Sequence, residues 1–401
     1  MTSEAGKAPA GPAVPARFLV GISRYQDSDA ADLRAFQERM FGEGSRQLDR
    51  QRFAWLFERN PCRSPSGLGL WVCRRDGEIV GQQAEIAFEL SVGGRVRPAA
   101  WTVDLMVDEA WRIKGVGPGL VATQLAERGL AGGLNLSDKG KRTYERGGWT
   151  DLGVVGVYVR PLDVGRAMRL AGVPDRVRRL APVAGAGLRA ADLALAGAAR
   201  AAGLRLEAVD RFSDDRLDEV WSRAAPDYRV LAVRDAATNR WRMDDRPDAD
   251  RMQRFLLRRR GSVLGYVVLR RNTGASTGGG ERASVVVDYL APVRWVAPLL
   301  TLAAFEARRD GAAALLAKTR NVAAHRSLRA AGFLWRQAVG DDPIRFMFRC
   351  DASTEGAEVE RLVTDPHAWF VTSADSDLEL AMAPSPGGPE SPARLNGARA
   401  T

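Results

Sequence analysis

Landmarks in this chain come in pairs at one spacing, and that restricts its fold more than any single motif. Gly77-Glu78-Ile79-Val80-Gly81 has a counterpart in Gly261-Ser262-Val263-Leu264-Gly265, with Gly81 and Gly265 184 positions apart (265 − 81). Asp104 and Asp288, Trp111 and Trp295, and Gly148-Trp149 and Gly332-Phe333 keep the same offset of 184. Upstream, Trp55 and Asn60-Pro61 align with Trp241 and Arg246-Pro247 at 186. Chance does not readily put so many coincidences in one register, so the spacing predicts two copies of one fold in tandem. A chain of 401 residues has the length for two domains.

Within the first copy the patterns alternate. Phe18–Ile22 is a candidate first strand, and 30–41 and 49–58 carry helical patterns. Residues 68–75, 79–90 and 95–107 read as strands separated by Asp76-Gly77 and Gly93-Gly94 turns. After a glycine-rich stretch come a helix from Leu120, a short strand at 134–136, a helix over 138–146 and a strand over 152–159. A meander of strands followed by strand–helix units predicts a mixed α/β (α+β) fold, each copy a twisted mixed sheet flanked by helices.

The glycine-rich stretch is Arg112-Ile113-Lys114-Gly115-Val116-Gly117-Pro118-Gly119. Glycines allow close backbone approach to a ligand, and a helix start offers unsatisfied N–H groups, so the physics is anion binding. A Walker loop is excluded, because no Lys-Ser or Lys-Thr follows Gly119, and GxGxxG fails at Leu120. Arg112-x-x-Gly115-x-Gly117 does resemble the (Q/R)xxGx(G/A) signature of the GNAT superfamily, the GCN5-related acyl-CoA N-acyltransferases. The resemblance implies that Arg112 to Gly119 grip the pyrophosphate of an acyl-CoA co-substrate, acetyl-CoA or another, with strand residues Leu105, Met106 and Val107 along its pantetheine arm. No metal is implied.

A second landmark separates the two copies. The family's helix motif Asn-x-x-Ala-x-x-x-Tyr-x-x-x-x-Phe falls on Ser137, Gly140, Tyr144 and Trp149 in the first copy and on Asn321, Ala324, Leu328 and Phe333 in the second. The first keeps the tyrosine and the second loses it. At the 184 offset Arg112, Lys114, Gly115 and Gly117 become Val296, Pro298, Leu299 and Thr301, so the second copy also loses the loop. The resemblance therefore implies one active and one degenerate copy, with Tyr144 as general acid toward the leaving thiolate. Asp104 is one candidate base for the incoming amine, beside Glu85, Asp108 and Glu109. Its pairing with Asp288 across the repeat favours a structural role instead.

These readings divide the chain into a disordered tail (1–16), a GNAT-like domain (17–160), a helical linker (161–205), a degenerate GNAT-like domain (206–350) and an extension (351–401) disordered after 383. The linker holds eight Arg, three Asp and no aromatics. It reads as a helix packed on one half. The alternative is a basic amphipathic helix making peripheral contact with a membrane, or with RNA, and the missing aromatic anchors argue against the membrane.

Composition narrows the chemistry. Two histidines and three cysteines without CxxC spacing leave no material for a zinc site or a histidine triad. No run of eighteen apolar residues predicts a transmembrane helix, and the N-terminus has no signal-like apolar core, so a cytoplasmic protein is expected. A net charge of +10 suits anionic ligands. It also keeps open a Fem-like aminoacyl-tRNA-dependent transferase, although the coenzyme A loop argues against nucleic acid. A non-catalytic acyl-CoA-binding scaffold is the other alternative. Acceptor identity and oligomeric state are not readable from the sequence.

Overall fold

The computed structural model describes residues 18–171, 173–212, 215–271, 282–336 and 343–378. The tails expected to be disordered, 1–16 and beyond 383, lie outside these residues. The first half runs β1 (Ile22–Arg24), α1 (Ala30–Phe41), β2 (Leu70–Arg75), β3 (Glu78–Val92), β4 (Arg95–Val107), α2 (Val116–Arg128), β5 (Leu130–Leu134), α3 (Asp138–Arg146) and β6 (Thr150–Pro161). Residues 18–21, expected as strand, form a turn before β1, and the short strand expected at 134–136 lies earlier, at 130–134.

The expected linker is helical, and its longest helix is α4 (Ala181–Ala201). The second half follows with β7 (Leu204–Val209), β8 (Val230–Ala232), β9 (Met252–Arg259), β10 (Ser262–Arg271), β11 (Ala283–Leu290), α5 (Val293–Arg309), β12 (Ala314–Asn321), α6 (His325–Ala330), β13 (Leu334–Arg336), β14 (Ile344–Cys350) and β15 (Trp369–Val371). From β9 to β13 the order of elements repeats that from β2 to β6.

A near two-fold relation is visible at the centre. Trp55 and Trp241 sit in matching π-helical turns, Ala54–Glu58 and Arg240–Asp244. Each indole N–H donates to the other tryptophan's carbonyl at 2.8 Å. The rings pack 5.8 Å apart.

The halves exchange strands. The first part of β6 pairs with β14, from Phe348↔Thr150 to Ile344↔Val155. Its second part crosses over and pairs with β12, from Thr319↔Gly156 to Ala314↔Pro161. β14 in turn lies beside β5 of the first half, from Phe346↔Leu134 to Cys350↔Leu130. The first-half core therefore contains Phe346, Phe348 and Trp369 from the far end of the chain, packed with Phe36, Trp55 and Trp101. The exchange was not legible in advance, because period-two alternation marks a strand without naming its neighbour.

Candidate active site

The site is built around a fork between β4 and β5. β4 pairs with β3 from Val92↔Arg95 to Gly81↔Val107. With β5 it pairs only at Ala100↔Ala131 and Trp101↔Gly132. Past that point the two parallel strands diverge. A bulge drives the divergence: Ala84 faces Val103 while Gln82 faces Met106, so β4 carries one residue more than β3. Asp104, in the bulge, has φ +52. Such a bulge bends the strand and increases its twist. The Gln82 and Gln83 amides donate to the Asp104 and Val103 carbonyls, each at 3.1 Å, and so hold the displaced backbone.

At the open end of the fork lies the glycine stretch. Asp108 caps a 3-10 turn over Glu109–Lys114, Gly115 is left-handed at φ +81, and α2 starts at Val116. The glycines divide by role. A Cβ at Gly115 would overlap the Phe18 ring and one at Gly119 would overlap the Phe18 carbonyl, so both are glycine for packing of the N-terminal segment. Gly117 instead faces Val107 and Thr143 at 3.7 and 3.8 Å, with room for a Cβ, across the mouth of the fork. The first N–H groups of α2 have no acceptor within the helix, and Pro118 has none to offer.

The remaining residues of the stretch are placed unevenly. Val116 is buried, and Ile113 is 95% exposed. The Arg112 Nε donates to the Val107 carbonyl at 3.0 Å. The Lys114 ammonium lies 3.9 Å from the centre of the Trp111 ring. On the far wall α3 exposes Lys139, Arg142 and Arg146, so cations flank the mouth on two sides. Leu105 and Met106 are half-buried and Val107 is buried.

Tyr144 reaches the apex of the fork. The Ser137 hydroxyl caps α3 at Gly140, and the helix delivers the phenol to the Gln83 side-chain amide oxygen, Oε1, at 3.4 Å. Its ring meets Trp149 edge-on at 4.6 Å. Burial pushes the phenol up to about 12, with Thr102 and Gln83 offsetting part of the rise. Thr102 marks the branching point itself, donating to the Gly132 carbonyl at 3.1 Å.

Asp104 is not a free carboxylate. Its oxygens take the Arg52 guanidinium at 3.1 Å and the Gln47 amide at 2.9 Å. Burial alone would raise its pKa, but the Arg52 charge, the Gln47 hydrogen bond and Arg46 outweigh burial and hold it below the ordinary value. A carboxylate held that way is a poor proton acceptor. Asp288, its counterpart at offset 184, is likewise buried and paired, with Arg234 at 3.1 Å. Glu85 is buried against Arg128 at 2.9 Å and Gln124 at 3.3 Å; burial raises its pKa and Arg128 partly offsets the rise.

The second half forks too, but its fork is filled. β11 and β12 pair from Ala283↔Ala314 to Val286↔Ala317. Beyond that, β15 pairs with β12 at Arg320↔Val371 and Asn321↔Phe370. The Ala374 N–H donates to the Val287 carbonyl at 3.0 Å. Thr372 donates to Asp288 at 2.7 Å, and Asp375 takes Arg234 at 2.7 Å. Where the first half has its glycine stretch, the second has continuous helix, with Val296 and Leu299 fully buried in α5. The segment that fills this fork continues to the first half, where Asp377 meets Arg46 at 2.9 Å and Arg52 at 3.3 Å. Sequence reasoning missed this brace. The available signal was His367-Ala368-Trp369-Phe370-Val371-Thr372, whose pattern reads as a strand or as a piece packed back on the body, without naming its partner.

Comparison with known proteins bears on the fold. Residues 21–132 match the family model described as the acetyltransferase (GNAT) domain. A GCN5-related N-acetyltransferase from Anabaena variabilis superposes with a TM-score of 0.54 at 15% identity, over 82% of this chain and 72% of that one. A GCN5-related N-acetyltransferase from Kribbella flavida gives 0.50 at 15% identity, over 82% and 70%. No curated protein matches. Among the described residues, no helix is long and apolar enough to cross a membrane. The mixed α/β fold is that of the GNAT N-acetyltransferases, and this chain resembles that superfamily.

Proposed function

We propose that the chain is an acyl-CoA-dependent N-acyltransferase with one site, in the fork between β4 and β5 of the first half. The observation that carries the reading is the coincidence of three features in one place: a splayed strand edge, a helix start at its mouth and a buried phenol at its apex. An extended thioester arm suits the unpaired edge of β4 over Leu105–Val107. Its phosphates suit the start of α2 with Arg112, Lys114 and the basic face of α3. The filled second fork supports a single site and a supporting role for the second half. The glycine stretch and helix start at the mouth favour this reading over a tRNA-dependent transferase, and the buried phenol at the apex favours it over a scaffold.

The reaction is direct transfer. A neutral amine attacks the thioester carbonyl, the C–N bond forms, the C–S bond breaks, and the sulfur leaves as thiolate. Backbone N–H groups of Leu105–Val107 polarise the carbonyl. Tyr144, at about 12, stays protonated throughout the working pH range. Full proton transfer to a thiolate near 8.5 would be uphill by on the order of 5 kcal/mol. The phenol therefore stabilises the departing sulfur as a hydrogen-bond donor, and the amine proton leaves to water, since Asp104 is engaged by Arg52.

The test is thiol release from acetyl-CoA with a panel of amines, comparing wild type with Tyr144→Phe. The substitution removes one hydrogen-bond donor from the departing sulfur and is expected to lower kcat by about 10²–10³. The pH profile should keep its shape: activity rises as the acceptor amine deprotonates, with no fall near pH 10 from phenol ionisation. A descending limb near pH 10 in wild type that disappears in Tyr144→Phe would contradict this role. Absence of turnover with every acyl-CoA and amine would contradict the function.

A further inference from the structure

The helical segment between the halves carries a feature that acyl transfer does not use. α4 is buried along Ala181, Asp192, Ala196 and Ala199: Ala196 and Ala199 join the second-half core, and Ala181 lies beside Gly165. Asp192 is clamped between Arg160 at 2.6 Å and Arg308 at 2.7 Å, which fixes the rotation of the helix. The opposite face is set by the 3.6-residue period and consists of Val183, Ala190, Leu193, Ala194 and Gly197. Val183 is 78% exposed, and Leu180 and Leu193 are each 64% exposed. A Cβ added at Gly187 or Gly197 would meet no atom within 4 Å, so no described part of the chain lies over this face.

A helix face turned to water is ordinarily polar. This one is apolar and rimmed by cations: Arg176, Arg179, Arg189 and Arg200 are exposed along the segment. Within 164–201 the exposed carboxylate is Asp175, and it is paired with Arg178. Those charges select the occupant. A second copy docking here would bring arginine against arginine, with no acid to receive them. A bilayer of anionic lipids supplies an apolar boundary for Leu180, Val183 and Leu193. It also supplies headgroup phosphates for the exposed guanidinium groups of Arg176, Arg179 and Arg189, while Arg200 packs over the Phe305 ring.

We propose that the outer face of 175–201 is a peripheral docking surface for an anionic lipid bilayer, with α4 lying in the plane of the headgroups. The missing aromatic anchors counted against a membrane at the sequence level. The exposed aliphatic residues take that place here, with shallow insertion and charge-dependent binding.

The test is flotation of the full chain with vesicles of phosphatidylcholine alone and with vesicles that also contain phosphatidylglycerol. Wild type is expected to float with the anionic vesicles, weakly or not at all with the neutral ones, and less in high salt. The double variant Val183→Glu/Leu193→Glu should fold normally, because the replaced side chains are exposed, and should bind anionic vesicles about tenfold or more weakly. Unchanged circular dichroism and thermal midpoint confirm that folding is intact. The proposal is overturned if wild type stays with the soluble fraction at low salt. It is equally overturned if light scattering without lipid shows a dimer that the double variant dissociates, since the face then belongs to a second copy. Neither outcome depends on whether the fork binds a thioester.

Discussion

Residues 17–160 produced alone are expected not to form a folded monomer. β14 places Phe346, Met347 and Phe348, all fully buried, against the first-half sheet. Losing their burial removes roughly 5–9 kcal/mol of apolar stabilisation, at about 1.5–3 kcal/mol per side chain. That is comparable to the whole stability of a typical domain, about 5–15 kcal/mol. The fragment also exposes the facing edges of β5 and β6, which invite pairing between chains. It should aggregate or show no cooperative unfolding transition. Co-expression with 161–401 should restore a soluble complex, because β6 and β14 can then be exchanged between fragments. A monomeric 17–160 with a sharp thermal transition would contradict the interlocked description.

Replacing Arg52 with alanine should be among the most destabilising single changes. Arg52 is buried between Asp104 at 3.1 Å and Asp377 at 3.3 Å. Its removal leaves buried carboxylates short of a counter-charge, a change that costs about 3–5 kcal/mol. The pH dependence follows from the lowered Asp104 carboxyl. In wild type the stabilisation from Asp104 is complete above its ordinary unfolded value, about 4, and is lost as pH falls through the lower folded value. In Arg52→Ala burial raises the same carboxyl, so ionising it at neutral pH is penalised. The gap between the proteins should be widest near neutrality and should narrow below about pH 4. Urea unfolding at the two pH values measures it, and equal midpoints at neutral pH would refute the role given to Arg52.

The two cases also show how far the sequence could be read. The sequence pattern read a strand over Arg95–Val107 and a helix over Asp138–Arg146, and β4 and α3 have those bounds. The paired tryptophans at 55 and 241 face each other across the near two-fold centre. What remained hidden is long-range. Nothing in Phe346-Met347-Phe348 states which sheet it joins, and nothing in Asp377 states that it braces Arg52, 325 positions away. Glycine content was informative but ambiguous: Gly115 and Gly119 answer to Phe18, while Gly117, itself buried, faces the mouth of the fork with room for a Cβ in ordinary contact with Val107 and Thr143. Leu299, which aligns with Gly115, is fully buried in α5, whereas Arg294 on the same helix is exposed.

The central claim is a single acyl-CoA site in the first-half fork, and calorimetric titration with acetyl-CoA tests it most directly. Wild type is expected to bind with a stoichiometry of one. Gly117→Glu puts a carboxylate at the mouth facing Val107 and Thr143, where a pyrophosphate would lie, and should abolish binding. Arg294→Glu, on the corresponding helix of the second half, should leave it unchanged. Two sites per chain, or a Gly117→Glu variant that folds and binds like wild type, would contradict the account, as would no binding of acetyl-CoA or any longer acyl-CoA.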